Sequence, residues 1–565
     1  MHSVLSRRSP RAAVVAAALS VLLLAACQGD PVAKAPGRTA GPSMTAVAGT
    51  IARPAARLFP KSLPAPRATC TNAPAGWSKR ENGRPGVGDL PPSRVVPGVG
   101  LVAGYLDSST AVCGQTMSVH LSSQNGAARV RLRALRVGDY RGQGSRLVWV
   151  SPVITARWQQ KAVPTGPDRV IAERWPVAAT IPVDAGWPPG MYLVEIAPVG
   201  QGQPSFMPLV VRTSGVRSPY LLLASDLTWL AYNQYGRRSL YFGPGRNHAD
   251  IVANRSYKAS VDRPVDGTGM RTVFAMNLPL VRFLSRSGIA YDVTTDSSLD
   301  ATPAQLLGQP TVIVGGHNEY WTRRMYDAAI RARDAGTNFA FLGANEVYWQ
   351  GRVERDRRGR PTALTVYREA RLDRAALGHP GTTTVRWSQP PLRRDPAALV
   401  GVGMSAVGVR GSYVVNTAPA WLFSGTHLTK GSVLRLAIGN EADAQQPPTG
   451  HSPANLQVVL HGVAVLAGRP EPVLITAAYY SAPSGAGVFA AGTTYWICGL
   501  DSTCPLGPTP RATSVALQRI TLNLLNALAV PRAGRLHPSV GTPYVSPARL
   551  ARTLPVGGPA AGGEG

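Results

Sequence analysis

Two patterns of apolar and polar positions divide the chain. From 69 to 215, apolar residues alternate with polar ones in short runs, among them TMSVHLSS, ARVRLRALRV, SRLVWVS, MYLVEIAP and FMPLVVRTS. A period of two, with turn residues between the runs and no amphipathic helix, predicts an N-terminal antiparallel β-sandwich. From 216 to 532 the pattern changes. LLLAS, IAYDVTT, PTVIVGG, TNFAFLG, LRLAIGN and GVFAAG are unbroken apolar runs bounded by Gly or Asp. FAMNLPLVRFLSRSG and WTRRMYDAAIRARDAG lie among them with helical periodicity, and LQRITLNLLNALAV reads as a closing amphipathic helix. Strands alternating with helices predict an α/β domain whose mostly parallel sheet is covered on both faces.

Neither pattern extends to the ends. Residues 28–68 and 533–565 are rich in Ala, Pro, Gly and Thr without apolar periodicity, and are expected to be a flexible stalk and a disordered tail. The first 27 residues change the picture. Arg7, Arg8 and Arg11 precede the apolar run AAVVAAALSVLLLAA, which ends in Leu24-Ala25-Ala26-Cys27. The run is short for a membrane span and has the order of a secretory signal. LAAC resembles the lipobox of bacterial lipoproteins, which implies acylation of Cys27 and an extracytoplasmic body tethered to the lipid bilayer.

Without Cys27 four cysteines remain. In an exported chain an even number suggests disulfides, and the economical pairing is Cys70–Cys113 and Cys498–Cys504. Free buried thiols are the other reading, and neither makes any of them a nucleophile. The formal charge of +29, carried mostly by arginine, suits anionic envelope polymers as partners or a solvated basic surface. The arginines form no long run and no nucleic-acid motif is present, so nucleic acid is excluded as a partner. Self-association into a homo-oligomer stays open.

The chain lacks a Walker loop, a GxGxxG turn, an HExxH helix and a GxSxG elbow. What remains is a pair of similar strand ends, GGHNEYW after TVIV and GANEVYW after NFAFL. In an open α/β sheet ligands collect at the carboxyl ends of strands, so both turns are candidates for a site. Tyr and Trp anchoring a strand-to-helix turn, with Glu favoured by the helix dipole, would explain the same residues without one.

GHNEYW and GANEVYW together resemble the large (β) subunit of N,N-dimethylformamidase and its relatives. TWLAYN, SLYFG and SVDRPV resemble segments of the same family, as do RVGDYRGQG upstream and GNEAD and AAGTTYW downstream. The resemblance implies a sandwich followed by a glutamine-amidotransferase-like α/β domain, and hydrolysis of a small amide at one iron, ferric by its donors. Carried over by motif, Tyr192, Tyr232 and Glu319 would hold the metal. His317 would be the acid/base and Asn345 would orient the substrate or oxyanion. Asn318 and Glu441 would support them, Asn318 standing where the family usually has aspartate. Two phenolates and a carboxylate are hard donors that favour a hard ion. The turn GGHN contains no cysteine, so the thiol chemistry of amidotransferases is not expected. The alternative is a non-catalytic surface lipoprotein that binds an envelope component or small ligand in the same crevice; a metal enzyme of another reaction class is a further one.

Overall fold

The computed structural model describes residues 70–88, 90 and 98–560. The signal segment with Cys27 and the stalk at 28–68 lie outside the described residues. Among those described, no helix is long and apolar enough to cross a membrane. The protein is mostly β, built on several sheets with helices packed between and around them.

The alternating N-terminal runs form two sheets. One pairs Val102–Leu106, Gln115–Ser123 and Val177–Val183 antiparallel. The other carries Ser205–Val211, Gly190–Pro198, Ala127–Val137 and Ser145–Val150, also antiparallel, with Thr110–Ala111 added parallel at one edge. Alternation turns every second side chain to one face. Those faces meet in a single core that joins Met117, Val119 and Ile181 of the first sheet to Leu132, Val194 and Leu209 of the second. Cys70 and Cys113 are bonded, as are Cys498 and Cys504, which is the economical pairing.

The unbroken apolar runs enter a ten-stranded sheet. Asp292–Thr295, Tyr220–Ala224, Thr311–Gly316, Asn338–Gly343 and Gly487–Ala490 lie side by side and parallel. Both faces are buried, which is why these runs carry no polar alternation. Leu222, Ile313 and Ala340 point into one core, and Leu223, Val312, Val314, Phe339 and Phe341 into the other. The first core continues through the helix Leu278–Arg286 to Leu135, Val137 and Leu193 of the N-terminal sheets, so the two regions share packing. Helix Arg511–Leu528 adds Leu517, Ile520, Leu524 and Leu528 to it at helical spacing.

Two expectations need correction. The sheet is parallel in one half only. Arg469–Ser481, Gln457–Leu466, Gly403–Val415 and Val433–Ala444 pair antiparallel. The cause is local: only Ala467 and Gly468 separate Leu466 from Arg469, and so short a link can join only antiparallel strands. The C-terminal stretch is also not structureless through 560. Val556–Pro559 inserts between Gly403–Val415 and Gln457–Leu466, and Tyr479 donates to the His537 carbonyl.

Candidate functional site

The parallel strands Thr311–Gly316 and Asn338–Gly343 end opposite each other, Gly316 against Gly343. Side chains would not fit there. A Cβ on Gly316, whose φ is +59°, would lie 2.2 Å from the Met276 carbonyl, and one on Gly343 would lie 2.1 Å from the Gly316 carbonyl. The glycines therefore let the strand ends close up, and the two turns that follow remain in register. Val347 and Tyr348 donate to the carbonyls of Asn318 and Glu319, and Tyr320-Trp321 pairs parallel with Trp349-Gln350. The likeness of GHNEYW and GANEVYW is thus a likeness of two stacked turns.

Helix Asp226–Tyr232 crosses these turns. Thr228 accepts from the Glu319 amide, and one helical turn later Tyr232 donates to Glu319 Oε2 at 3.0 Å. The Tyr241 hydroxyl, from SLYFG, lies 2.5 and 2.6 Å from the two Glu319 oxygens. His317 Nε2 stands 3.2 Å from the Tyr232 hydroxyl and 3.3 Å from Glu319 Oε2. Two phenol oxygens, one carboxylate and one imidazole nitrogen thus converge. Glu319 and Tyr241 are fully buried, whereas Tyr232 is half-buried.

A second layer surrounds His317. Its Nδ1 lies 3.1 Å from the Ala344 carbonyl and 3.7 Å from Glu441 Oε2. Asn345, held at a positive φ of 54°, donates from Nδ2 to Glu441 at 2.8 Å and from its amide to Asp443 at 2.9 Å. Among the described residues its Oδ1 is buried without a partner, as is Glu346 Oε1. Asn345 therefore presents an acceptor, with its amide nitrogen engaged by Glu441, rather than a fully free oxyanion donor. Asn318 accepts from Trp321 Nε1 and donates to Asp296 at 2.8 Å and, from its amide, to Glu346 at 2.7 Å. A carboxylate at 318 would lie against Asp296 and Glu346, so the amide suits this chain.

The electrostatics follow from this crowding. Burial works against a charged His317, but Glu441 and Glu319 outweigh it and push the imidazole up to about 10. Burial likewise raises Glu319, yet His317, Tyr241 and Arg368 together hold it below the usual carboxylate range. The pair is an imidazolium beside a carboxylate. Arg368 lies 3.9 Å over the Tyr241 ring and donates to the Tyr320 hydroxyl. Burial pushes Asp443 up to about 7 and Glu346 up to about 8.

Of the residues expected from sequence, Tyr232, His317, Glu319, Asn345, Asn318 and Glu441 come together. Tyr192 does not. Its hydroxyl donates to the Pro188 carbonyl at 2.7 Å, and its ring packs on Trp187 in the N-terminal core. Tyr192 sits opposite Arg136 in the strand pair and belongs with the buried network of Arg136, Tyr140 and Glu81. The second phenol at Glu319 is Tyr241, which the sequence reading did not single out. The signal available in the sequence was SLYFG, a motif of the same resemblance lying nine residues after Tyr232. Glu346 lies in GANEVYW and Asp443 in GNEAD, motifs of the same resemblance, whereas Asp296 and Arg368 carried no such signal.

No group of three or more His, Cys, Asp or Glu side chains is arranged to hold a metal among the described residues. Residues 131–508 match the family described as N,N-dimethylformamidase beta subunit-like, C-terminal. The N,N-dimethylformamidase beta subunit of Alcaligenes sp is 24% identical over 364 residues, covering 50% of this chain and 46% of that protein. The aligned stretch thus spans about half the length of the curated relative it matches.

Proposed function

The chain belongs to the N,N-dimethylformamidase beta subunit-like family, and on that premise we propose that it hydrolyses the C–N bond of a small amide at the Tyr232–Tyr241–Glu319 cluster. The observation that carries this reading is the convergence of two phenol oxygens on one buried carboxylate with His317 in contact. Three hard oxygen donors fit a hard cation such as ferric iron, and the hydrogens now shared among them are those a cation would displace. Such an ion supplies Lewis acidity, polarising a carbonyl and lowering the pKa of water.

The remaining work falls to the chain's own groups. His317 holds a proton at Nε2, next to Tyr232 and Glu319, and hands it to a leaving nitrogen. The Ala344 carbonyl fixes the ring by engaging Nδ1, and Glu441 balances the charge. The unpartnered Oδ1 of Asn345 accepts an N–H of the substrate. Tyr232, being half-buried, marks the side from which substrate enters. The proposal extends to the layout, a β-sandwich followed by a glutamine-amidotransferase-like α/β domain, and to a body tethered outside the membrane through acylated Cys27. In that setting the partners are a small amide-like substrate, the bilayer and anionic envelope polymers.

The test is metal content and visible absorbance of the purified protein beside Tyr241→Phe and Glu319→Ala, with amide hydrolysis assayed on each. About one iron per chain, a phenolate charge-transfer band, and loss of band and activity in both variants are expected. Metal-free, colourless, folded protein that binds small amides without cleaving them would replace this reading with a binding lipoprotein.

A further inference from the structure

The Tyr241 hydroxyl meets Glu319 only while the tyrosine ring is held in one orientation. That ring packs tilted against Tyr232 at 4.5 Å and edge-on to Tyr320 at 6.3 Å. A cation lies against it as well. Arg368 Cζ stands 3.9 Å from the ring centre, well inside the distance of about 6 Å over which the quadrupole of a ring attracts a charge. Tyr241 is buried, so water does little to screen that attraction.

Arg368 is placed there by its own backbone and by a chain of polar contacts behind it. Its φ of 68° lies in the left-handed region, which a residue other than glycine adopts at a cost. Its amide donates to the Thr384 carbonyl at 2.8 Å, and the neighbouring Tyr367 amide donates to Thr384 Oγ1 at 2.9 Å. Asp373 accepts from the amide and hydroxyl of Thr384 at 2.8 and 2.7 Å. Arg352 in turn clamps both oxygens of Asp373 at 2.6 and 2.7 Å.

The guanidinium ends among aromatic side chains of the two stacked turns. It donates to the Tyr320 hydroxyl at 2.8 Å, and its Cζ is 4.8 Å from the centre of the Trp349 ring. Tyr320 follows Glu319 in the chain, and the Trp349 amide donates to the Glu319 carbonyl at 3.0 Å. Arg368 thus bridges the loop that carries Tyr241 to the turns that carry Glu319. A planar guanidinium can lie on rings and donate sideways at once, which an ammonium cannot do.

We propose that Arg368 is a positioning residue of the Tyr232–Tyr241–Glu319 cluster: its guanidinium holds the Tyr241 ring with the hydroxyl on Glu319, and its charge above that ring sets how strongly the oxygen donates to a bound cation. The inference rests on the reading of this cluster as a metal site. Positive charge on the face of a ring lowers the energy of its π electrons. Removing the charge eases the light-driven transfer of an electron from the Tyr241 ring to a ferric ion, and so carries the visible band to longer wavelength. Loss of folded protein weakens a band without moving it.

The test titrates ferric citrate into the whole protein, Arg368→Gln, Arg368→Lys and Arg371→Gln, and reads iron affinity and band position, with thermal unfolding to establish that each is folded. The first variant keeps a planar donor for Tyr320 without the charge, and the second keeps the charge without the flat contact. Arg371 is 79% exposed and pairs with Glu369, which makes it the control. Arg368→Gln is expected to move the band by at least about 10 nm to longer wavelength and to weaken iron binding about tenfold or more. Arg368→Lys should fall between that variant and wild type, and Arg371→Gln should match wild type. Should Arg368→Gln not fold, the shift in Arg368→Lys decides alone. A band at the wild-type wavelength in every folded Arg368 variant overturns the inference while the metal reading stands. Wild-type protein that takes up no iron and shows no band overturns the metal reading, and the inference falls with it.

Discussion

Two buried polar networks, one in each half of the protein, use the same kinds of side chain to different ends. In the N-terminal half, Glu81 accepts from Tyr140 at 2.6 Å and from Arg146 at 2.6 and 3.0 Å, and Arg136 donates to Tyr140 and to the Pro189 carbonyl. Both oxygens of Glu81 are engaged by donors from other strands and turns. Around His317, tyrosines, carboxylates and a cation also meet, yet Asn345 Oδ1 and Glu346 Oε1 are left over. Burial there raises Asp443 and Glu346 toward neutrality instead of pairing them. A saturated network holds a fold together. An unsaturated one leaves polar atoms open to a further group, which is what the proposed site requires.

The comparison breaks most sharply at the two glutamates. Glu319→Gln should abolish bound metal and lower amide hydrolysis by about 10³-fold or more, since one charged donor is lost where a Lewis acid is worth several kcal/mol. Its melting temperature should fall as well, because the buried imidazolium of His317 loses the carboxylate that faces it, so metal and rate are read per folded chain. Glu81→Leu should destabilise without touching the metal. It leaves Arg136 and Arg146 without their carboxylate in a buried setting, at a cost of about 3–5 kcal/mol in denaturant unfolding. Metal content per folded chain should stay at the wild-type value. If Glu81→Leu lost metal with the fold intact, the division between the networks would fail.

Much of this contrast was legible in the sequence, and the reasons for the rest are physical. Local pattern exposed the pair of strand ends because glycines, apolar runs and repeated Asn-Glu-Tyr residues all lie within a few positions. It also gave the order of sheets and the cysteine pairing. Tyr241 was not legible from spacing, because a loop that returns to a strand end is fixed by tertiary packing: its ring packs tilted against Tyr232 at 4.5 Å and lies under Arg368. Tyr192 misled because an amphipathic strand with one tyrosine reads the same whether the phenol is a ligand or a core residue. Part of the antiparallel half of the large sheet hid in Gln457–Leu466, whose burial on both faces erases the alternation that marks such strands elsewhere.

An unpartnered buried atom does not by itself make a site, and His461 is the control. It lies in Gln457–Leu466 of the antiparallel half, and its Nε2 has no acceptor. Burial lowers its pKa from 6.5 to about 4. Because the folded value is depressed, the stability linked to its neutral form is fully present above pH 6.5 and is lost as pH falls toward 4. The expected loss is about 2–3 kcal/mol. Asp292, raised to about 6 by burial, acts with the opposite sign in part of this window, so the difference between wild type and variant is the quantity to read. His461→Phe should flatten the acid limb of stability against pH by that amount and leave metal and activity unaffected.

The smallest effect separates the two tyrosines. Tyr192→Phe removes one hydroxyl that donates to the Pro188 carbonyl while keeping the ring on Trp187, and should cost about 1 kcal/mol. Burial already raises that phenol well above its ordinary value, so it is a poor source of phenolate. Metal content, visible band and rate should all remain at wild-type values. Tyr241→Phe makes the same chemical change at a hydroxyl that touches both oxygens of Glu319, and should remove the band while altering stability by a similar amount. Equal stability with opposite spectra would show that position against Glu319, not burial or residue type, decides which tyrosine serves the site. Loss of the band in Tyr192→Phe alone would return the ligand to the N-terminal sheets and require the Glu319 cluster to open before it binds metal.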